Sequence, residues 1–210
     1  LAEVADAISW GAGVSAFKED GSTKTLATSN PYPAKVLNLS LGASGSCPVA
    51  MQKAIDAAVD AGTTVVVSAG NYNTSITGQA PANCKNVIVV TASTKDGTRA
   101  SYSNWGVPGS SSAWLVAAPG GSAPGTCDFG GDCTGYVMST TGRIGTVDGY
   151  PYNRYSWPMA GTSQAAPHVS AVAALLLAKN SGLNAADIAE ALRSTATPLA
   201  DRCPTGVCGS

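Results

Sequence analysis

Thr63-Thr64-Val65-Val66-Val67-Ser68-Ala69-Gly70-Asn71 is a β-branched run that closes on small polar residues. Three consecutive valines leave it no polar face, so it reads as a strand buried on both sides, as in a parallel sheet covered by helices. Working outward, Val87-Ile88-Val89-Val90-Thr91 is a second such run, and Lys35–Ser40, Trp114–Ala118 and Tyr136–Thr140 are shorter strands. Helical spacing lies between and around them. Leu1, Val4, Ala5 and Ile8 pattern a helix over residues 1–13, ended by Gly11 and Gly13. Met51, Ala54, Ile55, Ala58 and Val59 share one side of a helix over Val49–Ala61, with Gly62 as its stop. Ile188 and Leu192 face inward from a helix over Asn184–Ser194, and residues 15–34 and 72–86 read as loops. Strands alternating with helices predict an α/β fold: three layers, a mainly parallel central sheet with helices on both faces, in one domain without internal repeats.

Such sheets bind ligands at the carboxyl ends of their strands. Two strand ends carry small, loop-forming residues, Ser40-Leu41-Gly42 and Ser68-Ala69-Gly70-Asn71, and these are the expected walls of a cleft.

Composition narrows the classes of function. The 210 residues carry a net charge of −1, with 12% charged and 44% hydrophobic residues. No Lys/Arg run marks a nucleic-acid surface. The longest apolar segment, Val169–Ala178, is too short to span a bilayer. The six cysteines form an even set with two short-range pairs, Cys127/Cys133 and Cys203/Cys208, which leaves Cys47 for Cys84. That is one of fifteen pairings. Disulfides imply an oxidising compartment, and no Cys-x-x-Cys or neighbouring histidine points to zinc.

A third stretch supplies chemistry. Ala160-Gly161-Thr162-Ser163-Gln164-Ala165-Ala166-Pro167-His168-Val169 begins as a tight turn and continues, through Val172, Ala173, Leu175 and Leu176, as a strongly apolar helix. Apolar residues around most of its circumference predict a central, buried helix. Pro167 is tolerated in the first turn, which donates no intrahelical hydrogen bonds. Ser163 sits where unpaired N–H groups and the positive end of the helix dipole point outward. This position suits an oxygen nucleophile, and it equally suits a simple helix cap. With Asn71 able to donate an amide to an oxyanion, and Ser40–Gly42 able to pair with an extended peptide, the combination points to acyl transfer on peptides.

These segments, in this order, resemble the subtilisin-like serine proteases, the subtilases. Gly161-Thr162-Ser163-Gln164-Ala165-Ala166-Pro167-His168 is similar to their nucleophile motif, with Gln164 in place of the usual methionine. Ser68-Ala69-Gly70-Asn71 resembles the oxyanion segment, and Asn38-Leu39-Ser40-Leu41-Gly42 the substrate-binding edge. Ser101-Tyr102-Ser103-Asn104-Trp105-Gly106 and Ala118-Pro119-Gly120 also match, so the likeness runs over about residues 35–198. It is strongest to secreted bacterial members with disulfides, which carry one cysteine shortly after the Ser-Leu-Gly segment and another before the Val-Ile-Val strand.

The resemblance implies an extracellular serine endopeptidase acting through an acyl-enzyme. Ser163 is the implied nucleophile. Asn71 and the Ser163 N–H are the implied oxyanion donors. Ser40, Leu41, Gly42, Ser68, Ala69, Gly70, Tyr72 and Thr162 are the implied substrate-binding residues. The family's acid and base motifs, Asp-Ser/Thr-Gly and His-Gly-Thr-His, are not found in the sequence and are expected on a segment before Leu1, which itself reads as the middle of a helix. The N-terminal part of the same domain, as a separate chain, is therefore an expected partner besides the peptide substrate. His168, five residues beyond Ser163 on the same helix, points about 140° away and lies about 7.5 Å further along the axis. It is read as a packed helix residue and not as the base. No cofactor is needed for catalysis. By the resemblance, structural calcium is implied near the carbonyls of Ala82, Cys84 and Val87, without a clear carboxylate ligand; Asp128 and Asp132, in a Gly-rich loop, could bind calcium but read first as solvated loop acids. Two other readings stand beside the protease. One is a catalytically silent relative that binds peptides. The other is a serine esterase, for which the second glycine of a Gly-x-Ser-x-Gly elbow is missing.

Overall fold

The computed structural model describes residues 1–106, 114–122, 125–126, 135–147 and 150–199, with backbone alone for 125–126, 141–147 and 150–157. Four strands form a parallel sheet in chain order: β1 (Val36–Leu39), β2 (Thr64–Ser68), β3 (Ile88–Ser93) and β4 (Trp114–Pro119). All five residues of β2 are buried, as its uninterrupted β-branched run requires. Successive side chains point to opposite faces of a strand. Accordingly Val65, Val67 and Val89 join one core cluster, while Val66, Ile88 and Val90 join another.

The first cluster is completed by helices α1 (Ala2–Ala12) and α2 (Val49–Asp60). The second is completed by α3 (Thr162–Lys179) and α4 (Ala185–Thr195). These are the three layers expected from the sequence. Gly13, at φ 71°, turns the chain out of α1 and lets its N–H close on the carbonyls of Ser9 and Trp10. Asn184 opens α4 with a reciprocal cap, its side chain accepting from Asp187 N–H while Asp187 accepts from Asn184 N–H.

Three expectations are corrected. Helix α3 packs across all four strands, but its outer face is open: Val172 is 44% and Leu175 69% exposed. The sheet covers one side of an all-round apolar helix, and no described element covers the other. The short strand expected at Tyr136–Thr140 is the start of a long antiparallel hairpin, β5 (Val137–Val147) and β6 (Tyr150–Ala160). Strand β6 runs directly into the turn before α3. Both stretches read as loops contain short strands: Ala16–Phe17 pairs antiparallel with Thr23–Lys24, and Gln79–Ala80 pairs antiparallel with Ala43–Ser44. Cys47 and Cys84 form a disulfide beside the latter pairing. Cys127, Cys133, Cys203 and Cys208, with Asp128 and Asp132, lie outside the described residues.

Candidate functional site

The carboxyl ends of β1 and β2 meet the N-terminus of α3. Sheet geometry makes this meeting inevitable, because α3 lies across the strands and begins at their carboxyl edge. A cleft of about 190 Å³ opens there. Leu41, Gly42, Ser68, Ala69, Gly70, Asn71, Tyr72, Thr162 and Ser163 line it. Ser40 stands at its edge: its hydroxyl donates to the Ser163 carbonyl at 2.8 Å, and the Ser163 hydroxyl faces the Ser40 carbonyl at 3.3 Å. The residues read from the sequence as nucleophile, oxyanion donor and substrate-binding edge are therefore in one place.

The same cleft has a third wall that sequence reading missed. Gln79, Ala80 and Ala82 line it. They reach it because Gln79–Ala80 pairs with Ala43–Ser44, directly beyond Ser40–Gly42. An added Cβ at Gly42 would stand 3.1 Å from the Ala80 carbonyl oxygen, so glycine keeps these walls close. No local signal in 72–86 announces the pairing. None of the lining residues is charged, so this surface recognises by shape and hydrogen bonding.

Gly161, and not Ser163, occupies the cap position of α3. Ser163 is thus the second helical residue, and the reading of it as the cap is excluded. Its N–H belongs to the first-turn donors without an intrahelical acceptor. The point where a Gly161 Cβ would lie is 3.3 Å from Asn71 Nδ2, 3.7 Å from Ser163 N and 2.7 Å from Gln164 Oε1. Two donors thus border a space that only glycine leaves open.

Asn71 is held by Thr162. The Thr162 N–H and hydroxyl donate to Asn71 Oδ1 at 2.9 and 2.8 Å, and the same hydroxyl accepts from Gly70 N–H at 3.0 Å. With its oxygen engaged twice, the Asn71 amide presents its NH₂ end away from Thr162. The turn before α3 is fixed from below. Tyr102 donates its hydroxyl to the carbonyls of Gly120 and Gly121 at 2.6 and 3.0 Å, and Gly161 N–H donates to Gly120 at 2.8 Å. Burial pushes the Tyr102 phenol up to about 12, because the anion has little solvent to stabilise it.

Strand β1 is tied to α3 by a further chain of side chains. Ser170 donates to Asn38 Oδ1 at 2.9 Å, and Asn38 Nδ2 donates to the Ser40 hydroxyl at 2.9 Å.

His168 differs from its expected place as a packed residue. It is exposed on the outer face of α3, with Nδ1–H donating to the Gln164 carbonyl at 2.8 Å. It remains remote from the Ser163 hydroxyl for the helical reason already given. The Val87 carbonyl already accepts from Trp114 N–H at 3.0 Å within the sheet, and no group of three or more His, Cys, Asp or Glu among the described residues is placed to hold a metal. A roomier hollow of about 400 Å³, bordered by Trp10, Val14, Lys24 and Asn30, lies apart and holds none of these residues.

Comparison with known proteins agrees with the geometry. The model of the subtilase family matches residues 2–210. An extracellular protease of Xanthomonas campestris is 39% identical over the whole chain, which covers 31% of that protein. Subtilisin DY of Bacillus licheniformis is 37% identical over 79% of the chain and 51% of its own length. A protease structure from Pseudoalteromonas arctica superposes with a TM-score of 0.79 at 35% identity, over 99% of this chain and 55% of that one. The chain thus spans between 21% and 51% of the length of the curated relatives it matches. A sheet, a helix start and a cleft of this kind, matched by a family model across nearly every residue, show that the chain belongs to the subtilase family.

Proposed function

We propose that the chain is the serine-bearing part of a secreted serine endopeptidase. In this reading Ser163 attacks the peptide carbonyl, and Asn71 Nδ2 with the Ser163 N–H stabilises the oxyanion. Ser40–Gly42 and Ser68–Gly70 hold the peptide as an extended strand. The observation that carries the reading is the shared space between Asn71 Nδ2 and Ser163 N above Gly161. The extracellular relatives and the Cys47–Cys84 disulfide support secretion. Among the described residues no helix is long and apolar enough to cross a membrane.

The base and acid belong, in this proposal, to a separate N-terminal part of the domain. The sequence has a single histidine, and it stands on the outer face of α3. The open apolar face of α3 and the position of β1 at the sheet edge among the described residues give such a part a place to pack. A second reading, a silent peptide-binding relative, is favoured by one observation: the Ser163 hydroxyl faces the Ser40 carbonyl and no base.

A fluorophosphonate probe followed by intact-mass measurement tests the proposal. Labelling of Ser163 in the presence of a co-purifying fragment with Asp and His supports the protease. Absence of labelling with the complete domain assembled assigns the chain to the silent reading.

A further inference from the structure

We infer that Asn104 is the positioning residue that sets the height and aim of the Asn71 amide. This rests on the proposed oxyanion role of Asn71. Ser101–Gly106 matched the family pattern in sequence but carried no role there. In the structure this segment is the template on which the loop after β2 is built.

Asn104 is fully buried. Its Nδ2 donates to the Ala69 carbonyl at 2.9 Å, and its Oδ1 accepts from the N–H groups of Tyr72 and Thr74 at 2.9 and 3.1 Å. Its own N–H donates to the Gly70 carbonyl at 2.9 Å. One planar amide therefore grips the loop on both sides of Asn71, two residues before it and one and three residues after. The segment is in turn pinned to β3, since Ala92 N–H donates to the Ser103 hydroxyl, which donates to the Asn104 carbonyl, both at 2.9 Å.

The approach is so close that a Cβ on Gly70, at φ 100°, would collide with the Asn104 amide nitrogen. An irregular loop has no ladder of its own to fix it, so a preorganised donor on such a loop needs an external support. Thr162 fixes the Asn71 side chain from the front, and Asn104 fixes its backbone from behind.

The test uses the intact protease with its acid and base present, on a peptide substrate. Asn104→Ala is expected to lower kcat about 10-fold or more while KM changes less than about 3-fold, because transition-state stabilisation is lost while Ser40–Gly42 still hold the peptide. In an Asn71→Ala background the same change is expected to alter kcat less than about 2-fold, since its effect passes through Asn71. Asn104→Asp keeps the acceptor for Tyr72 and Thr74, and is expected to retain more of kcat than Asn104→Ala. Amide exchange at Tyr72 and Thr74, read without reference to activity, is expected to accelerate in the alanine variant and stay slow in the aspartate variant. An Asn104→Ala loss that persists in full beside Asn71→Ala, or exchange at Tyr72 and Thr74 unchanged, overturns the inference. If Asn71→Ala leaves the kcat of the active protein intact, the oxyanion assignment fails, and Asn104 falls with it. That result is distinct from a working Asn71 with an independent Asn104.

Discussion

The side-chain oxygen of Asn71 accepts two hydrogen bonds from a single residue, from the N–H and the hydroxyl of Thr162 at 2.9 and 2.8 Å. Thr162 is fully buried, and its hydroxyl also accepts from Gly70 N–H. Thr162→Val removes the hydroxyl with little change of shape. It strands the Gly70 donor and halves the restraint on Asn71. A buried group left unpaired costs about 1–3 kcal/mol, so a matching drop in unfolding free energy by urea titration is expected. Under the proposed function kcat falls with it by about 10-fold, still short of the about 10²–10³-fold known for outright loss of one oxyanion donor in subtilisin, a relative. Unaltered stability and kcat would show the double bond to be incidental.

Gly161 gives a sharper test of the site. Its absent Cβ would stand 3.3 Å from Asn71 Nδ2 and 2.7 Å from Gln164 Oε1, inside the space that the two donors border. The backbone there is extended, so alanine carries no conformational penalty and only the methyl group matters. Gly161→Ala is expected to leave thermal unfolding within about 1 kcal/mol of the parent, as Gln164 swings aside. It is also expected to reduce kcat by at least about 10²-fold through loss of the oxyanion space. Full activity in a folded Gly161→Ala variant would place the oxyanion elsewhere.

What the sequence made legible follows from which physics is local. Val65, Val66 and Val67 have no polar alternation, and only burial on both faces satisfies that. The parallel sheet was therefore readable, and with it the strand ends that wall the cleft. The long hairpin was hidden because its strands, paired from Val137 with Met159 to Val147 with Tyr150, carry glycine, proline and arginine and show no clean apolar alternation. Asp148-Gly149 is the one local signal for it in the sequence. The third wall of the cleft was equally hidden, since Gln79 and Ala80 gain their place only through Ala43 and Ser44. Helix α3 shows the opposite limit. Val172 and Leu175 are apolar enough to be buried, but composition states what a face can tolerate and not what lies against it.

The Cys47–Cys84 disulfide links the residues before α2 to those before β3, across a sequence separation of 37. Both cysteines flank the Ala43–Ser44/Gln79–Ala80 pairing that closes the cleft. Closing a loop of that length removes unfolded-state entropy worth about 4 kcal/mol in the chain-entropy account. Cys47→Ala/Cys84→Ala is expected to lose stability on that scale in denaturant titration. The parent measured with reductant should fall at least as far, because reductant also acts on the bridges expected at Cys127/Cys133 and Cys203/Cys208. A loss below about 1 kcal/mol would show that the short strand pair and the core around Cys84 hold this region unaided.

Tyr102 supplies the pH dependence. Its phenol lies beneath the turn before α3, donating to the carbonyls of Gly120 and Gly121, and burial raises it from 10.0 to about 12. In the unfolded chain the group ionises near its ordinary value, so between about pH 10 and pH 12 the folded state holds a proton that the unfolded state has released. Stability therefore falls as pH rises through this window, and below about pH 10 the group contributes no pH dependence. The comparison with Tyr102→Phe isolates this residue. The variant loses the two hydrogen bonds, at about 1 kcal/mol at neutral pH, and its urea midpoint should decline less steeply than the parent's above pH 10. Parallel declines would mean that the Tyr102 hydroxyl titrates alike in the folded and unfolded chains, and that the turn carrying Gly161 does not depend on its proton.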